Sequence, residues 1–173
     1  PRAAFWAAGW RPGLAPLLDP GLPAKAPRRF PTAGGGRASY AAVRTALRLA
    51  ARGLVGGLVT APVSKGAWRL GGAPHLDHTS FIQEFTRAPR VAMMLLGGPF
   101  RAVLATRHIP LKDAPRAATP AAVAEAAELA DAALREGLGI RRPRLALCAL
   151  NPHAGEDGLL GTEERDSLGP AAR

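Results

Sequence analysis

The sequence contains a single cysteine, few aromatic residues and no long apolar run. Cys148 cannot form a disulfide within the chain, which favours a reducing, cytoplasmic location. No segment approaches the roughly 20 consecutive apolar residues of a membrane-spanning helix, and none has the basic and apolar regions of a secretory signal. Hydrophobic residues still make up 47% of the 173 residues, so the chain can bury a core and is not expected to be disordered.

Acidic residues are also scarce relative to basic ones. There are 23 Lys and Arg against 13 Asp and Glu, which gives a formal net charge of +10. Such an excess raises nucleic acid as a partner. The pattern argues against it, because the arginines are scattered without a dense basic run. The aromatic residues, 5% of the chain, are not interleaved with them as base-stacking platforms.

Proline and glycine separate an N-terminal arm from the rest of the chain. Prolines recur through residues 1–36, which end in Gly34-Gly35-Gly36, so we expect a connecting arm with the glycines as a hinge. From Arg37 the spacing of Tyr40, Val43, Leu47 and Leu54 predicts a helix with a buried stripe, and Gly53 is its expected stop. Residues 37–173 are expected to form one central α/β portion, because strand-like and helical patterns alternate.

Four short apolar runs predict strands, at residues 54–60, 91–96, 102–106 and 144–150, with a turn between the middle two. One helix is expected from about Thr79 through Phe85. Another begins at Thr119-Pro120, an N-cap followed by proline at the first helical position, and closes at Gly137 or Gly139. Cys148 falls inside the last apolar run and is expected to be buried there.

Polar residues gather after the expected strands, where open α/β sheets bind ligands. Lys65 follows the first strand, while His108 and His153 follow later ones, and His78 opens a helix. Neutral imidazole is a preferred ligand of zinc and related ions, but such wide spacing is unlike a zinc finger, so structural roles remain equally open. Lys65 fits either a substrate anion contact or a solvated loop lysine.

Taken together, these segments resemble one enzyme family. The segments, in chain order, are Gly34-Gly35-Gly36-Arg37-Ala38-Ser39, Thr60-Ala61-Pro62-Val63-Ser64-Lys65, His78-Thr79, Met93-Met94-Leu95, His108-Ile109-Pro110-Leu111 and Asn151-Pro152-His153-Ala154-Gly155-Glu156. From about residue 31 onward the set looks like 4-hydroxythreonine-4-phosphate dehydrogenase of vitamin B6 biosynthesis. The sequence departs from the family pattern at Asp77, Ser80 and Asp157, where Gly, Glu and Gly are expected.

The resemblance implies a three-layer α/β/α fold similar to isocitrate and isopropylmalate dehydrogenases, incomplete in this chain. It implies a homodimer with the site at the subunit interface and NAD-dependent oxidation, with decarboxylation, of 4-phosphooxy-L-threonine to 3-amino-2-oxopropyl phosphate. A divalent metal would assist, with zinc expected and cobalt or magnesium as alternatives. His78 and Thr79 would contact substrate, and His108 and His153 would be two of three metal ligands. We add Lys65 as a contact for a substrate anion.

The resemblance also implies a fragment lacking both termini. The family continues past Arg173 into a region with the third metal-ligating histidine and most of the nicotinamide site, so this chain alone is expected to be poorly active. Two alternatives stay open. One is a paralogous dehydrogenase of a phosphorylated threonate or erythronate, which the changes at Asp77 and Ser80 leave open, and the other is a non-catalytic remnant that folds or dimerises.

Overall fold

The computed structural model describes residues 17–21 and 30–173. Most of the expected arm over residues 1–36 therefore lies outside the described residues, and its boundary stays a prediction. The chain divides into two compact units, Pro1–Ala88 and Pro89–Arg173.

The described part of the first unit contains three helices: α1 (Ala33–Ala51), α2 (Lys65–Leu70) and α3 (His78–Thr86). α1 begins where the Thr32 hydroxyl accepts a hydrogen bond of 3.1 Å from the Gly35 amide. It ends as expected near Gly53, whose φ of 66° is left-handed and which donates to the Ala50 carbonyl at 2.9 Å. The predicted α3 is confirmed, whereas α2 was missed.

The hinge expected at Gly34-Gly35-Gly36 is wrong, because all three glycines lie in the first turn of α1. The physical reason is the close approach of α1 to α2. A Cβ at Gly36 would overlap the carbonyl oxygen of Ala67 in α2 and lie 3.1 Å from the Trp68 amide nitrogen. Glycine at this position therefore permits helix contact, and the chain needs no special backbone freedom there.

A small aromatic and aliphatic core holds the three helices together. Its buried members are Val43 and Leu47 of α1, Trp68 of α2 and Phe81 of α3. Trp68 is fully buried, and its indole Nε1 donates to the Ser39 hydroxyl at 2.9 Å. The predicted stripe of α1 is confirmed at Val43 and Leu47, with Tyr40 packed at its edge. It is wrong at Leu54, which lies beyond the end of α1 and is 40% exposed.

The second unit opens with an antiparallel hairpin of β1 (Met94–Gly97) and β2 (Phe100–Val103), in which Met94 pairs with Val103 and Gly97 with Phe100. The predicted hairpin is confirmed with slightly different bounds. A short helical turn at Leu111–Asp113 then leads into α4 (Ala114–Ala117), and α5 (Pro120–Ala132) is continued by a wide helical turn at Ala133–Gly137. Near the end of the chain, a second wide turn at Glu164–Leu168 leads into α6 (Gly169–Ala171).

The start and end of α5 follow its local sequence. The Thr119 hydroxyl accepts a hydrogen bond of 3.2 Å from the Ala122 amide, with Pro120 at the first helical position as predicted. Beyond the wide turn, Gly139 adopts a left-handed φ of 68°. Val123, Ala130 and Leu134 are buried and form the inner face of this segment.

Two of the four expected strands do not form. Residues 57–60 and 143–149 have no regular secondary structure, and Leu145 and Leu147 are 49% and 48% exposed. Cys148 is exposed, which corrects its expected burial. An apolar run becomes a strand only when a neighbouring strand accepts and donates its backbone hydrogen bonds, and the described residues supply none for these two. Among the described helices, none combines the length and apolar character needed to cross a bilayer.

Candidate functional site

Lys65 is exposed at the first position of α2. The Ser64 hydroxyl caps this helix by accepting a hydrogen bond of 3.1 Å from the Ala67 amide. A lysine ammonium beside the amide end of a helix attracts anions, which is the chemistry predicted for Lys65.

His78 and Thr79 open α3 immediately after its cap. The Asp77 carboxylate accepts a hydrogen bond of 2.8 Å from the Ser80 amide, and the Ser80 hydroxyl donates to the Asp77 carbonyl at 3.2 Å. Aspartate is a strong N-cap, so the departures from the family pattern at these two positions have a local structural explanation.

The His78 ring is positioned by packing on Trp68, edge to face, with ring centroids 5.6 Å apart. Its Nε2 atom is buried and has no hydrogen-bond partner among the described residues. A buried polar atom is normally satisfied, so this nitrogen is the atom best suited to meet a bound ligand.

His75 belongs to a hydrogen-bond network beside the start of α3 that sequence reasoning missed. Its ring is only 8% exposed and stacks on Phe81 at a centroid distance of 4.7 Å. The Glu84 carboxylate lies 2.9 Å from Nε2 and accepts a hydrogen bond from it, and in the neutral ring Nδ1 then accepts from the Tyr40 hydroxyl at 2.9 Å. Tyr40 is 35 positions away in the chain, so no local pattern signals this network.

The Tyr40–His75–Glu84 network joins α1 to α3 and so holds the helix that begins at His78. Burial raises the pKa of the Tyr40 phenol, while the nearby Arg44 guanidinium opposes that shift. The hydroxyl therefore stays protonated at neutral pH and acts as a permanent donor to His75.

In the second unit, His108 and His153 are both exposed and both have left-handed backbones, with φ of 51° and 52°. A non-glycine residue in this region costs about 1–3 kcal/mol and persists only where its surroundings hold it. Neither imidazole ring forms a hydrogen bond within the described part of the chain, which leaves the ring nitrogens of both accessible.

His153 begins a run of five left-handed residues that continues through Asp157. The run lies between Asn151 and Gly158, and its middle member, Gly155, is buried so tightly that a Cβ would lie 2.6 Å from the Gly161 carbonyl oxygen. The Gly155 carbonyl accepts from the Leu160 amide at 3.0 Å, which closes the turn.

Two glutamates hold the start of this turn, and sequence reasoning missed both. The Glu164 carboxylate accepts from the Leu150 and Asn151 amides at 2.9 and 2.6 Å. The Asn151 side-chain amide donates to Glu163 at 2.7 Å and to Glu164 at 2.9 Å. These bonds lower the pKa of Glu164, chiefly through the Asn151 backbone amide, and that of Glu163 through the Asn151 side chain.

The five candidate residues are therefore divided between the units. Lys65, His78 and Thr79 belong to the first, and His108 and His153 to the second. Over residues 17–21 and 30–173, no three His, Cys, Asp or Glu side chains are grouped closely enough to hold a metal. The roles of all five stay predictions.

Solved structures define the class of fold. The chain matches the 4-hydroxythreonine-4-phosphate dehydrogenase from Klebsiella pneumoniae with a TM-score of 0.73 and 34% identity, covering 81% of this chain and 42% of that one. The enzyme of the same name from Burkholderia phymatum matches with a TM-score of 0.69 and 37% identity, covering 87% of this chain and 46% of that one. These likenesses and the mixed helices and strands described above define an α/β protein.

Sequence comparison gives the family. The 4-hydroxythreonine-4-phosphate dehydrogenase from Maricaulis maris is 48% identical over 138 residues, which are 76% of this chain and 41% of that protein. The family model described as pyridoxal phosphate biosynthetic protein PdxA matches residues 22–173. The chain belongs to the PdxA family, which confirms the resemblance. It spans about two fifths of the length of this curated relative.

Proposed function

We propose that this chain supplies part of the active site of an NAD-dependent 4-hydroxythreonine-4-phosphate dehydrogenase. The reaction would oxidise the secondary hydroxyl of 4-phosphooxy-L-threonine and, with loss of carbon dioxide, form 3-amino-2-oxopropyl phosphate. The chain belongs to the PdxA family. Within this chain, the observation that supports the proposal is the buried Nε2 atom of His78 at the start of α3, which has no hydrogen-bond partner among the described residues. The complete protein would be a cytoplasmic homodimer with a three-layer fold like isocitrate dehydrogenase and its site at the subunit interface.

The first unit would bind the substrate. The Lys65 ammonium, at the amide end of α2, attracts its phosphate. His78 presents Nε2 and Thr79 a hydroxyl from the first turn of α3. Trp68 fixes the His78 ring, so little side-chain entropy is lost when the substrate forms its hydrogen bonds.

The second unit would supply two metal ligands. The accessible imidazoles of His108 and His153 suit a divalent ion, with zinc expected and cobalt or magnesium as alternatives, and the third ligand would come from outside the described residues. When bound, such an ion provides Lewis acidity toward the substrate hydroxyl. Glu164 and Asn151 hold the left-handed turn that presents His153. NAD would accept the hydride, and we assign no described residue to it.

Calorimetric titration of the chain with zinc chloride tests the metal ligands. We expect binding by the parent that is lost in both His108→Ala and His153→Ala and kept in His78→Ala. Zinc binding that both substitutions leave unchanged would overturn the assignment and favour a non-catalytic remnant.

Titration with 4-phosphooxy-L-threonine tests the substrate contacts. We expect weaker binding in His78→Ala and Lys65→Ala than in the parent, with no change in the control Arg69→Gln on the exposed face of α2. Equal binding by all variants would contradict the assignment. The chain alone is expected to form little NADH, and robust formation would refute that expectation.

A paralogous reaction on a phosphorylated threonate or erythronate is the second candidate. The Asp77 carboxylate beside His78 motivates it, because its negative charge is absent from the family pattern. Tighter binding of a phosphorylated threonate or erythronate than of 4-phosphooxy-L-threonine would favour the paralogue, and the reverse order would exclude it.

A further inference from the structure

We propose that the first unit contains an anion-binding site that takes a small molecule carrying two or more phosphate or carboxylate groups. The site is a cavity of about 390 Å³ between one face of α1 and the loop at residues 71–74. It is lined by Arg37, Tyr40 and Arg44 and by none of the residues assigned above to the substrate or the metal. Its volume falls within the range of about 300–1,000 Å³ that is usual for small-molecule sites.

The described part of the first unit has more positive than negative charge. Residues 17–21 and 30–88 contain seven Lys and Arg against three Asp and Glu. α1 itself has no acidic residue. Every Asp and Glu of the sequence falls within the described residues, and none forms an ion pair with Arg37 or Arg44. Among the ion pairs that the described residues form, none includes either guanidinium group.

The Arg44 guanidinium acts on the wall of the cavity. Burial raises the pKa of the Tyr40 phenol, the nearby Arg44 guanidinium opposes that rise, and the Glu84 carboxylate adds to it. An anion in the cavity would experience the same field, which is strengthened by the low-dielectric wall of aromatic side chains behind Tyr40.

The geometry favours a ligand with anionic groups at two points. Arg37 and Arg44 are seven residues apart on one helix face, so their Cα atoms are separated by about 10 Å along α1. Tyr40 lies between them, and its ring is held by stacking on Phe81 at 4.4 Å and by the bond to His75. The guanidinium groups of Arg37 and Arg44, on either side of the Tyr40 ring, can each bind one anionic group of the same small molecule.

A close backbone contact shapes the opposite wall. A Cβ at Gly71 would lie 2.9 Å from the Arg37 amide nitrogen and 3.1 Å from the Ala33 carbonyl oxygen. Glycine therefore lets the loop approach the first turns of α1, and a Cβ at this position would force the two backbones apart.

Calorimetric titration of the full chain with pyrophosphate tests the site. We expect saturable binding that weakens about tenfold or more in Arg37→Gln and in Arg44→Gln, because each loses one charge-assisted contact. Arg69→Gln is the matched control, since it removes the same charge from an exposed position in α2 that does not line the cavity. Circular dichroism of each variant confirms that α1 is intact.

Three results would overturn the proposal. The first is the absence of saturable pyrophosphate binding. The second is an equal loss of pyrophosphate affinity in Arg69→Gln, which would indicate a diffuse effect of charge. The third is tighter, salt-sensitive binding of a single-stranded oligonucleotide, which would indicate a nucleic-acid surface. The zinc titration does not depend on these arginines, so the site can fail without the proposed function failing.

Discussion

Replacing Gly36 by alanine tests the contact that joins α1 to α2. Gly36 is buried, and an added Cβ would overlap the Ala67 carbonyl oxygen and press on the Trp68 amide. Both neighbours are backbone atoms, which cannot rotate away as a flexible side chain can. The two helices must therefore move apart, and with them the start of α2 that carries Lys65.

Two effects of opposite sign set the size of the change. Alanine is favoured over glycine within a helix by up to about 1 kcal/mol. Forcing an extra carbon into a packed contact costs about 1–3 kcal/mol, and a clash with backbone belongs at the upper end of that range. We therefore expect Gly36→Ala to lower the free energy of unfolding by about 2 kcal/mol.

Urea unfolding followed by far-ultraviolet circular dichroism measures this loss. Gly34→Ala is the control, because it lies in the same turn and a Cβ there meets nothing within 4 Å. The control should be as stable as the parent or slightly more so. A Gly36→Ala variant as stable as the parent, or a Gly34→Ala variant that loses as much, would refute the packing argument.

Three further substitutions or reactions test other contacts. Hydrogen bonds hold the pKa of Glu164 below its ordinary value of 4.5. The ionised carboxylate therefore stabilises the folded chain fully above that pH, and this stabilisation is lost as the pH falls through the lowered pKa of the folded state. Glu164→Gln should therefore be less stable than the parent in urea at neutral pH and converge with it in acid, and a constant difference would contradict this. Tyr40→Phe leaves Nδ1 of buried His75 without a donor and should cost about 1–3 kcal/mol of unfolding free energy in the same assay; no loss would show that water replaces the hydroxyl. Exposed Cys148 should react with Ellman's reagent as quickly in the native chain as in urea, whereas slow reaction would indicate a buried thiol.

The candidate site residues were predictable to the extent that they lie in short, ordered motifs. His78 and Thr79 at a helix start and His153 after an asparagine and a proline belong to segments that the family resemblance identifies. His75 and Glu164 were not predictable in this way. Their partners are Tyr40, 35 positions before His75, and Asn151, 13 positions before Glu164, so each interaction exists only after the chain has folded.

The sequence by itself determined the elements whose hydrogen bonds close within a few residues. The cap at Thr119, the left-handed stop at Gly53 and the β1–β2 hairpin are of this kind, and all were predicted. Only the tertiary structure decided that Gly36 is a helix contact instead of a hinge, that residues 144–150 remain unpaired and that Cys148 is exposed. The reason is that a helix completes its backbone hydrogen bonds internally, whereas a strand or a close helix contact depends on atoms supplied by a distant part of the chain.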